Sequence, residues 1–406
     1  EEYLYDEVWV KSTFRIEEIK VKGQGSFMDT VVYTHQGPVV YDKNFRSDRK
    51  DVNFSLKWTA HLESNEQKTF LLLNKGKNNG DYIEALNHYT SPAQNFVFAS
   101  KNGDIAMKVQ GRFPLKWQGQ GKFLMDGKNP DFEWQGFIPN EHNPSTLNPV
   151  RGFVSSANQH PVDPSYPYYT FDHSFEHYRN RRLNDRLEEM NQITSKDMMA
   201  LQFDNFHLHA SEAPPIMLGL LDSTDLTQMD EFGTKYLNQL KKWNFNAFPN
   251  QEEPTLFQVW WENLYQGIWS KLKIDGIPIV FPNKYQTTKL LLNEPENEIF
   301  DNPETPERET ARSLLRSSFY EMVEKIKEIE KAEKDYTWAN YKKTSILHLV
   351  PNFRSFSHTN VYTGGGAGIL NATSERHGAS WRMIVEMGKG GSAFGIYPGG
   401  QSGNPG

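Results

Sequence analysis

The chain has 406 residues, of which 37% are hydrophobic and 13% aromatic, and its formal net charge is −7. This composition supports a large buried core and excludes a disordered chain. The longest basic run is Arg179-Asn-Arg-Arg182, which argues against nucleic acid as the main partner. No apolar run is near the roughly 18 residues of a membrane span, and the absence of cysteine excludes disulfides and thiolate chemistry.

Alternating apolar and polar residues from Phe14 to about Val109 are typical of strands bounded by Gly, Pro or Asn. The predicted strands are 14–21, 30–34, 52–60 and 95–100. Lys101-Asn-Gly-Asp has the composition of a hairpin turn, so the sheet is expected to be antiparallel. One helical interlude is predicted from about Asp81 to Tyr89.

Residues 113–167 are rich in Trp, Gly, Pro and Asn, which indicates ordered loops across a sheet edge. Within them, Phe153-Val-Ser-Ser predicts a short strand, and Asn158 follows where that strand must end. An amide held at a strand end offers two N–H donors, as stabilisation of an oxyanion requires. On the residues alone, the cap of a turn is the more common role of such an asparagine.

From about Phe171 to Ala332 the apolar period becomes helical. The longest helix is predicted over 309–332, and others follow the cap residue Thr194 and surround Phe257. Strand patterns return at 345–350, 380–387 and 393–397, with a flexible glycine loop at 363–368. The chain therefore divides into a sheet core with wrapped loops (1–170), a helical insertion (171–344) and returning strands (345–406).

Some local motifs carry little functional weight. His207-Leu-His209 could place two metal ligands on one face of a strand, but no third ligand is evident, so surface histidines are expected. The serine in Gly400-Gln-Ser-Gly-Asn404 lacks the final glycine of a nucleophile elbow. The glycine loop lacks the Lys-Ser/Thr of a phosphate cradle. The arginine-rich run beginning at Arg179 is, by itself, typical of a solvated helix face.

The segment Asn148-Pro-Val-Arg-Gly-Phe-Val-Ser-Ser-Ala-Asn158 is accompanied by other short motifs in a fixed order. These are Thr34-His-Gln-Gly-Pro38, Leu56-Lys-Trp-Thr-Ala60, Pro92-Ala-Gln-Asn-Phe96, Gly103-Asp-Ile-Ala106, Gly111-Arg-Phe-Pro114, Trp134-Gln-Gly-Phe-Ile-Pro139, Gly378-Ala-Ser-Trp-Arg-Met383 and Gly399-Gly-Gln-Ser-Gly403. Their collinear order over nearly the whole chain resembles the large subunit of the penicillin acylase family of N-terminal-nucleophile hydrolases. The resemblance implies an α+β fold, an αββα sandwich of antiparallel sheets with a helical insertion.

The resemblance also implies functional residues. Asn158 matches the family's oxyanion asparagine, and Arg179 matches an arginine that opens a helix near the acyl site. The nucleophile of the family is a serine at the start of the large subunit, and Glu1 corresponds to a point after it. A structural calcium is implied, with Asp172 as a shifted candidate ligand and no other cofactor.

An amidohydrolase acting on a small acyl amide is therefore expected, partnered by a small subunit from the same precursor and located in the periplasm or outside the cell. A cytoplasmic location stays open. Glu1-Glu-Tyr-Leu has neither an initiator Met nor a signal-peptide core, so we expect a processed or partial chain that is inactive alone. The acyl group stays open among penicillins, aliphatic amides and N-acyl-homoserine lactones. A non-catalytic binding or assembly protein with the same fold is the alternative.

Overall fold

The computed structural model describes residues 1–42, 52–170, 176–222, 224–225, 229–272, 279–332, 334–350, 352–376, 378–388 and 390–399. The chain forms two compact units, Glu1–Val154 with His160–His173, and Ser155–Gln159 with Ser174–Gly406. Antiparallel strands dominate the first unit and helices the second, which confirms the predicted α+β class. The finer division into 1–170, 171–344 and 345–406 stays a prediction.

Antiparallel pairing between neighbours in the sequence builds the sheets of the first unit. Its strands are β1 (Glu2–Tyr5), β2 (Val8–Lys11), β3 (Thr13–Val21), β4 (Gly25–Thr34), β5 (Gly37–Tyr41), β6 (Phe54–Ser55), β7 (Gln94–Ala99), β8 (Ile105–Gln110) and β9 (Ser145–Leu147). β1 pairs with β2, β3 to β6 form one sheet in chain order, and β7 to β9 form another. In the β3–β4 hairpin, Thr13 pairs with Tyr33 and Val21 with Gly25.

The strand prediction for 52–60 is largely wrong. Only β6 pairs there, and a 3₁₀ turn follows at Thr59–His61, where the His61 N–H donates to the Trp58 carbonyl. A turn that satisfies its own backbone groups cannot also continue a ladder. The strands predicted around 14–21, 30–34 and 95–100 are confirmed.

Two helices lie in sequence between β6 and β7, where one was predicted. They are α1 (Glu66–Leu73) and α2 (Asn79–Leu86). The Asn78 side chain accepts a hydrogen bond from the Asp81 N–H at 3.0 Å, so α2 begins before the predicted start. Tyr82 is buried on the inner side of α2, as the apolar spacing predicted.

The loops of residues 113–167 contain little regular structure, as expected. They include 3₁₀ turns at Pro130–Phe132 and Asn140–His142, and the short strand β9. The strand predicted at 153–156 is wrong, because no strand forms there. β9 already occupies the edge of β8, and from Ser155 the chain joins the second unit.

The second unit is mainly helical, which confirms the predicted change from a strand pattern to a helical pattern of apolar residues. Its helices are α3 (Tyr178–Glu189), α4 (Ser195–Gln202), α5 (Leu208–Leu220), α6 (Glu231–Lys242), α7 (Glu253–Trp269), α8 (Lys284–Asn293), α9 (Ala311–Lys331) and α10 (Trp338–Lys342). β10 (Arg382–Glu386) and β11 (Ser392–Ile396) confirm the strands predicted at 380–387 and 393–397, and they pair with each other in antiparallel fashion. Within the described residues, no helix has the length and apolarity needed to cross a bilayer.

The packing of α7 against α9 forms the centre of the core of the second unit. Trp260 is fully buried, donates its Nε1–H to the Leu315 carbonyl at 3.2 Å, and meets the Phe319 ring edge-on at 5.0 Å. Each large side chain buried in this way contributes roughly 1.5–3 kcal/mol. α9 begins at a capping box between Thr310 and Ser313, close to the predicted start of the longest helix.

The strand predicted at 345–350 is wrong. Ile346 makes a single bridge to His358, while Leu347 and Leu349 are exposed. Alternation of apolar residues produces a strand only where a partner strand supplies the ladder. Here the chain instead turns back, with the Val350 N–H donating to His348 Nδ1 at 3.0 Å.

The glycine loop at 363–368 is partly buried rather than free, which corrects the expectation of a flexible loop. A Cβ on Gly365, whose φ is +75°, would lie 2.0 Å from the Asn371 carbonyl oxygen, so only glycine fits. Lys342 Nζ donates to the Gly364 carbonyl at 2.6 Å, to the Gly365 carbonyl at 3.3 Å and to Thr373 Oγ1 at 2.5 Å. Three donors meet three acceptors, so the ammonium group holds the loop in place.

We predict that Lys342→Met lowers the free energy of unfolding by about 2–3 kcal/mol, because buried carbonyl oxygens lose their donor. Burial lowers the pKa of Lys342 to about 8, so the ammonium group persists at pH 7. Urea denaturation at pH 7 measures the change. The matched control is Lys343→Met, which removes the exposed neighbouring lysine and should change stability by less than about 0.5 kcal/mol. Equal stability of the two variants would contradict the assigned role.

Candidate active site

A short segment that contains Asn158 lies against α3. Ser155 Oγ donates to Asn184 Oδ1 at 2.8 Å, and the Ala157 N–H donates to Gln159 Oε1 at 2.7 Å. Asn158 lies in a turn with a φ of 61°, and it is exposed. The expected position at a strand end is therefore wrong. A left-handed turn places this residue instead, and asparagine tolerates that conformation better than most residues.

The side chain of Asn158 is oriented by Arg179. Arg179 Nη2 donates to Asn158 Oδ1 at 2.6 Å. A guanidinium group has donors and no acceptor, so the amide oxygen must face it and the amide nitrogen must face away. Among the described residues, the Asn158 Nδ2 group has no hydrogen-bond partner. The two N–H donors of Asn158 are thus oriented and available.

Arg179 differs from the other arginines of α3. The others are ion-paired: Arg181 with Glu212, Arg182 with Asp204, and Arg186 with Glu189. Within the described chain, Arg179 has no carboxylate partner. It also lies in the first turn of α3, where a positive charge opposes the helix dipole. Its position is therefore better explained by the contact with Asn158 than by helix stability.

The first turn of α3 is fixed by buried aromatic rings. Tyr178 is 1% exposed, and its ring lies 5.0 Å from that of His209 and 6.2 Å from that of Tyr285. The ring of His209 in turn meets Trp261 of α7 edge-on at 4.3 Å. Because Arg179 directly follows Tyr178, this packing fixes the backbone position from which the Arg179 side chain extends.

His207 and His209 are buried, so the expectation of surface histidines on a strand is wrong. His207 precedes α5, and its Nδ1 accepts a hydrogen bond from the Ala210 N–H at 3.2 Å. His209 Nε2 lies 3.2 Å from Thr288 Oγ1. Burial lowers the pKa of His209 well below its usual value and that of His207 to about 3, so both rings are neutral at pH 7. Their neutrality reflects packing in an apolar core.

The predicted calcium ligand Asp172 lies outside the described residues, as does the Gly400–Asn404 motif. Across the parts of the chain with described structure, no group of three or more His, Cys, Asp or Glu side chains is arranged to hold a metal ion. The calcium site therefore stays a prediction.

Sequence reasoning missed the residues that support Asn158. Ser155 lies inside the recognised motif, but its partner Asn184 lies 29 positions away, and Gln159 has no distinctive spacing. The aromatic contacts of Tyr178 join different helices. Such contacts depend on the tertiary packing and leave no local periodic signal.

Comparisons with known proteins find acylases that resemble this chain in sequence. The chain is 23% identical to acyl-homoserine lactone acylase QuiP of Pseudomonas putida, over 99% of this chain and 52% of that protein. It is 27% identical to penicillin G acylase of Escherichia coli, over 39% of this chain and 18% of that protein. The chain spans about half the length of the acyl-homoserine lactone acylases that it matches.

The fold is similar to that of a solved structure, the thermostable penicillin G acylase from Alcaligenes faecalis. The TM-score is 0.59 at 17% sequence identity, and the match covers 83% of this chain and 64% of the other. This similarity confirms the predicted α+β fold, which the chain shares with the solved acylase. The family model described as penicillin amidase matches residues 1–406, and the chain therefore belongs to the penicillin amidase family.

Proposed function

We propose that this chain provides the oxyanion-stabilising part of an amidohydrolase that removes an acyl group from an amide. The hydrogen bond from Arg179 to Asn158 is the observation that carries the proposal, since it leaves two amide N–H donors oriented and unused by the described residues. The named relatives, an acyl-homoserine lactone acylase and a penicillin G acylase, support this class of reaction.

In the proposed reaction, a serine hydroxyl attacks the amide carbonyl and the carbonyl oxygen becomes an oxyanion. The Asn158 Nδ2 group donates to that oxygen, and the positive Arg179 polarises the amide through Oδ1. The leaving nitrogen takes up the proton that the serine hydroxyl lost, so the intermediate expels the neutral amine and leaves an acyl-serine. Water attacks the ester, releases the acid and regenerates the serine. Asn158 thus acts on the reacting atoms, while Arg179 acts as a positioning residue.

Other parts of the active enzyme belong to the same proposal. The nucleophile is an N-terminal serine that lies outside these 406 residues, and a small subunit from the same precursor completes the site. A structural calcium ion with Asp172 among its ligands, and a periplasmic or extracellular location, are also proposed. The family resemblance supports these features.

N-acyl-homoserine lactones are the substrate class that we propose to test first. The relatives named for that substrate match 99% of this chain, whereas the penicillin G acylase match covers 39%. Hydrolysis by the full-length protein should be measured with these lactones, with penicillins and with chromogenic acyl amides. Failure to turn over any of them would favour the non-catalytic binding protein.

We predict that Asn158→Ala in the full-length enzyme lowers kcat by about 100-fold or more, as loss of an oxyanion donor does. Asn158→Asp should be at least as impaired, because a carboxylate can still bind Arg179 but has no N–H donors. Steady-state kinetics and circular dichroism measure activity and folding. Asn191→Ala, at an exposed asparagine after α3, is the control. Wild-type turnover in Asn158→Ala would disprove the assignment.

For Arg179→Lys we predict a fall in kcat of about tenfold with little change in KM. Lysine retains the charge but lacks the planar, paired N–H groups that orient the amide. Impaired maturation of the precursor is expected for the same reason and is read by gel electrophoresis. Arg186→Lys, on the same helix and paired with Glu189, should behave as wild type. A fully processed and fully active Arg179→Lys enzyme would show that the guanidinium geometry is unimportant.

A further inference from the structure

A cavity of about 550 Å³ lies in the second unit, and neither Asn158 nor Arg179 lines it. Helices α7, α8 and α10 and the glycine loop contribute its walls. Trp338 and Tyr341 provide its aromatic surface. It differs from an apolar pocket because hydrogen-bond donors without protein acceptors line it.

His207 is the first such donor. The residue lines the cavity and is 6% exposed. Nδ1 accepts the hydrogen bond from the Ala210 N–H, so the single proton of the neutral ring is on Nε2. Within the described residues, that N–H group has no acceptor. Because His207 lines the cavity, a ligand there can accept a hydrogen bond from this N–H group.

Lys284 is the second donor. It is the first residue of α8, is partly buried and lines the same cavity. No described carboxylate pairs with it, and its charge opposes the dipole of α8. The positive charge of Lys284 also helps to lower the pKa of His207, after the larger effect of burial, and both residues line the same cavity. An anion between them would satisfy both.

Of the two negative groups of the cavity, Glu262 has another contact and Glu375 is exposed to solvent. Glu262 Oε1 accepts from Gln258 Nε2 at 2.6 Å, and burial together with the Glu262 charge raises the pKa of the Tyr341 hydroxyl to about 12. Three lysines and two glutamates line the cavity, and Lys342 is already satisfied by the glycine loop. Among the described residues, His207 and Lys284 therefore keep unused donors in the cavity beside its two carboxylates.

We propose that this cavity binds a small oxyanion, a carboxylate or phosphate group, through His207 Nε2–H and Lys284 Nζ. The anion would accept one hydrogen bond from the imidazole and a charge-assisted hydrogen bond from the ammonium group. It would also reduce the unfavourable interaction of Lys284 with the dipole of α8. This site is independent of acyl transfer at Asn158.

Isothermal titration of the full-length protein with sodium acetate and, separately, sodium phosphate tests the proposal at constant ionic strength, with sodium chloride as the reference. We expect saturable binding of at least one of these anions. The anion with the lower Kd identifies whether the cavity prefers a carboxylate or a phosphate group. Lys284→Gln should weaken binding about tenfold or more. Lys289→Gln, which removes another lysine from α8, should bind as wild type does. No saturable binding, or equal affinity in Lys284→Gln, would overturn the proposal.

Nitrogen-15 NMR of the histidine rings provides a second test that does not rely on the Lys284 variant. The bound anion should shift the His207 Nε2–H resonance, whereas sodium chloride at the same ionic strength should leave that resonance unchanged. His207→Asn keeps a side-chain acceptor for the start of α5 but removes this donor, and it should also weaken binding. An Nε2–H resonance that stays constant while the anion binds would place the ligand elsewhere and refute the assigned site.

Discussion

The buried aromatic face of α7 is the constraint on which the candidate active site depends. Trp260 anchors α7 to α9, and its neighbour Trp261 packs against His209. His209 lies against Tyr178, the first residue of α3, so the start of α3 is fixed by the core of the second unit. The orientation of Asn158 is thus determined, through Arg179, by residues that have no chemical role in the proposed reaction.

Both proposed sites contain residues in locally unfavourable positions or conformations, which is consistent with a functional role. A positive charge in the first turn of a helix is unfavourable, and so is a left-handed backbone at a residue other than glycine. Arg179 and Lys284 place a positive charge at a helix start, and Asn158 has the left-handed backbone. The remaining arginines of α3 are neutralised by carboxylates, so the helix does not need an unpaired cation for its own stability. The packed core tolerates such costs where a ligand or a reacting group benefits from them.

Features with a strong local period could be predicted from the sequence, including α9, the strands β3, β4, β10 and β11, and the hairpin turn between β7 and β8. The strands predicted at 153–156 and 345–350 were wrong because a ladder also needs a free partner edge, which alternation does not reveal. Asn158 and Arg179 were identified through the family pattern. Their hydrogen bond and the turn at Asn158 could not be predicted, because both depend on the contact between a loop and α3.

At the proposed anion site, it is the burial of His207 that determines its protonation state. A solvated imidazole titrates near pH 6.5, and protonation would turn both ring nitrogens into donors. His207 could then no longer accept the Ala210 N–H, and its charge would face Lys284. Burial lowers the pKa of His207 to about 3, so the ring stays neutral through mildly acidic pH. The same packing therefore preserves the start of α5 and keeps one N–H donor at the cavity, independently of pH in that range.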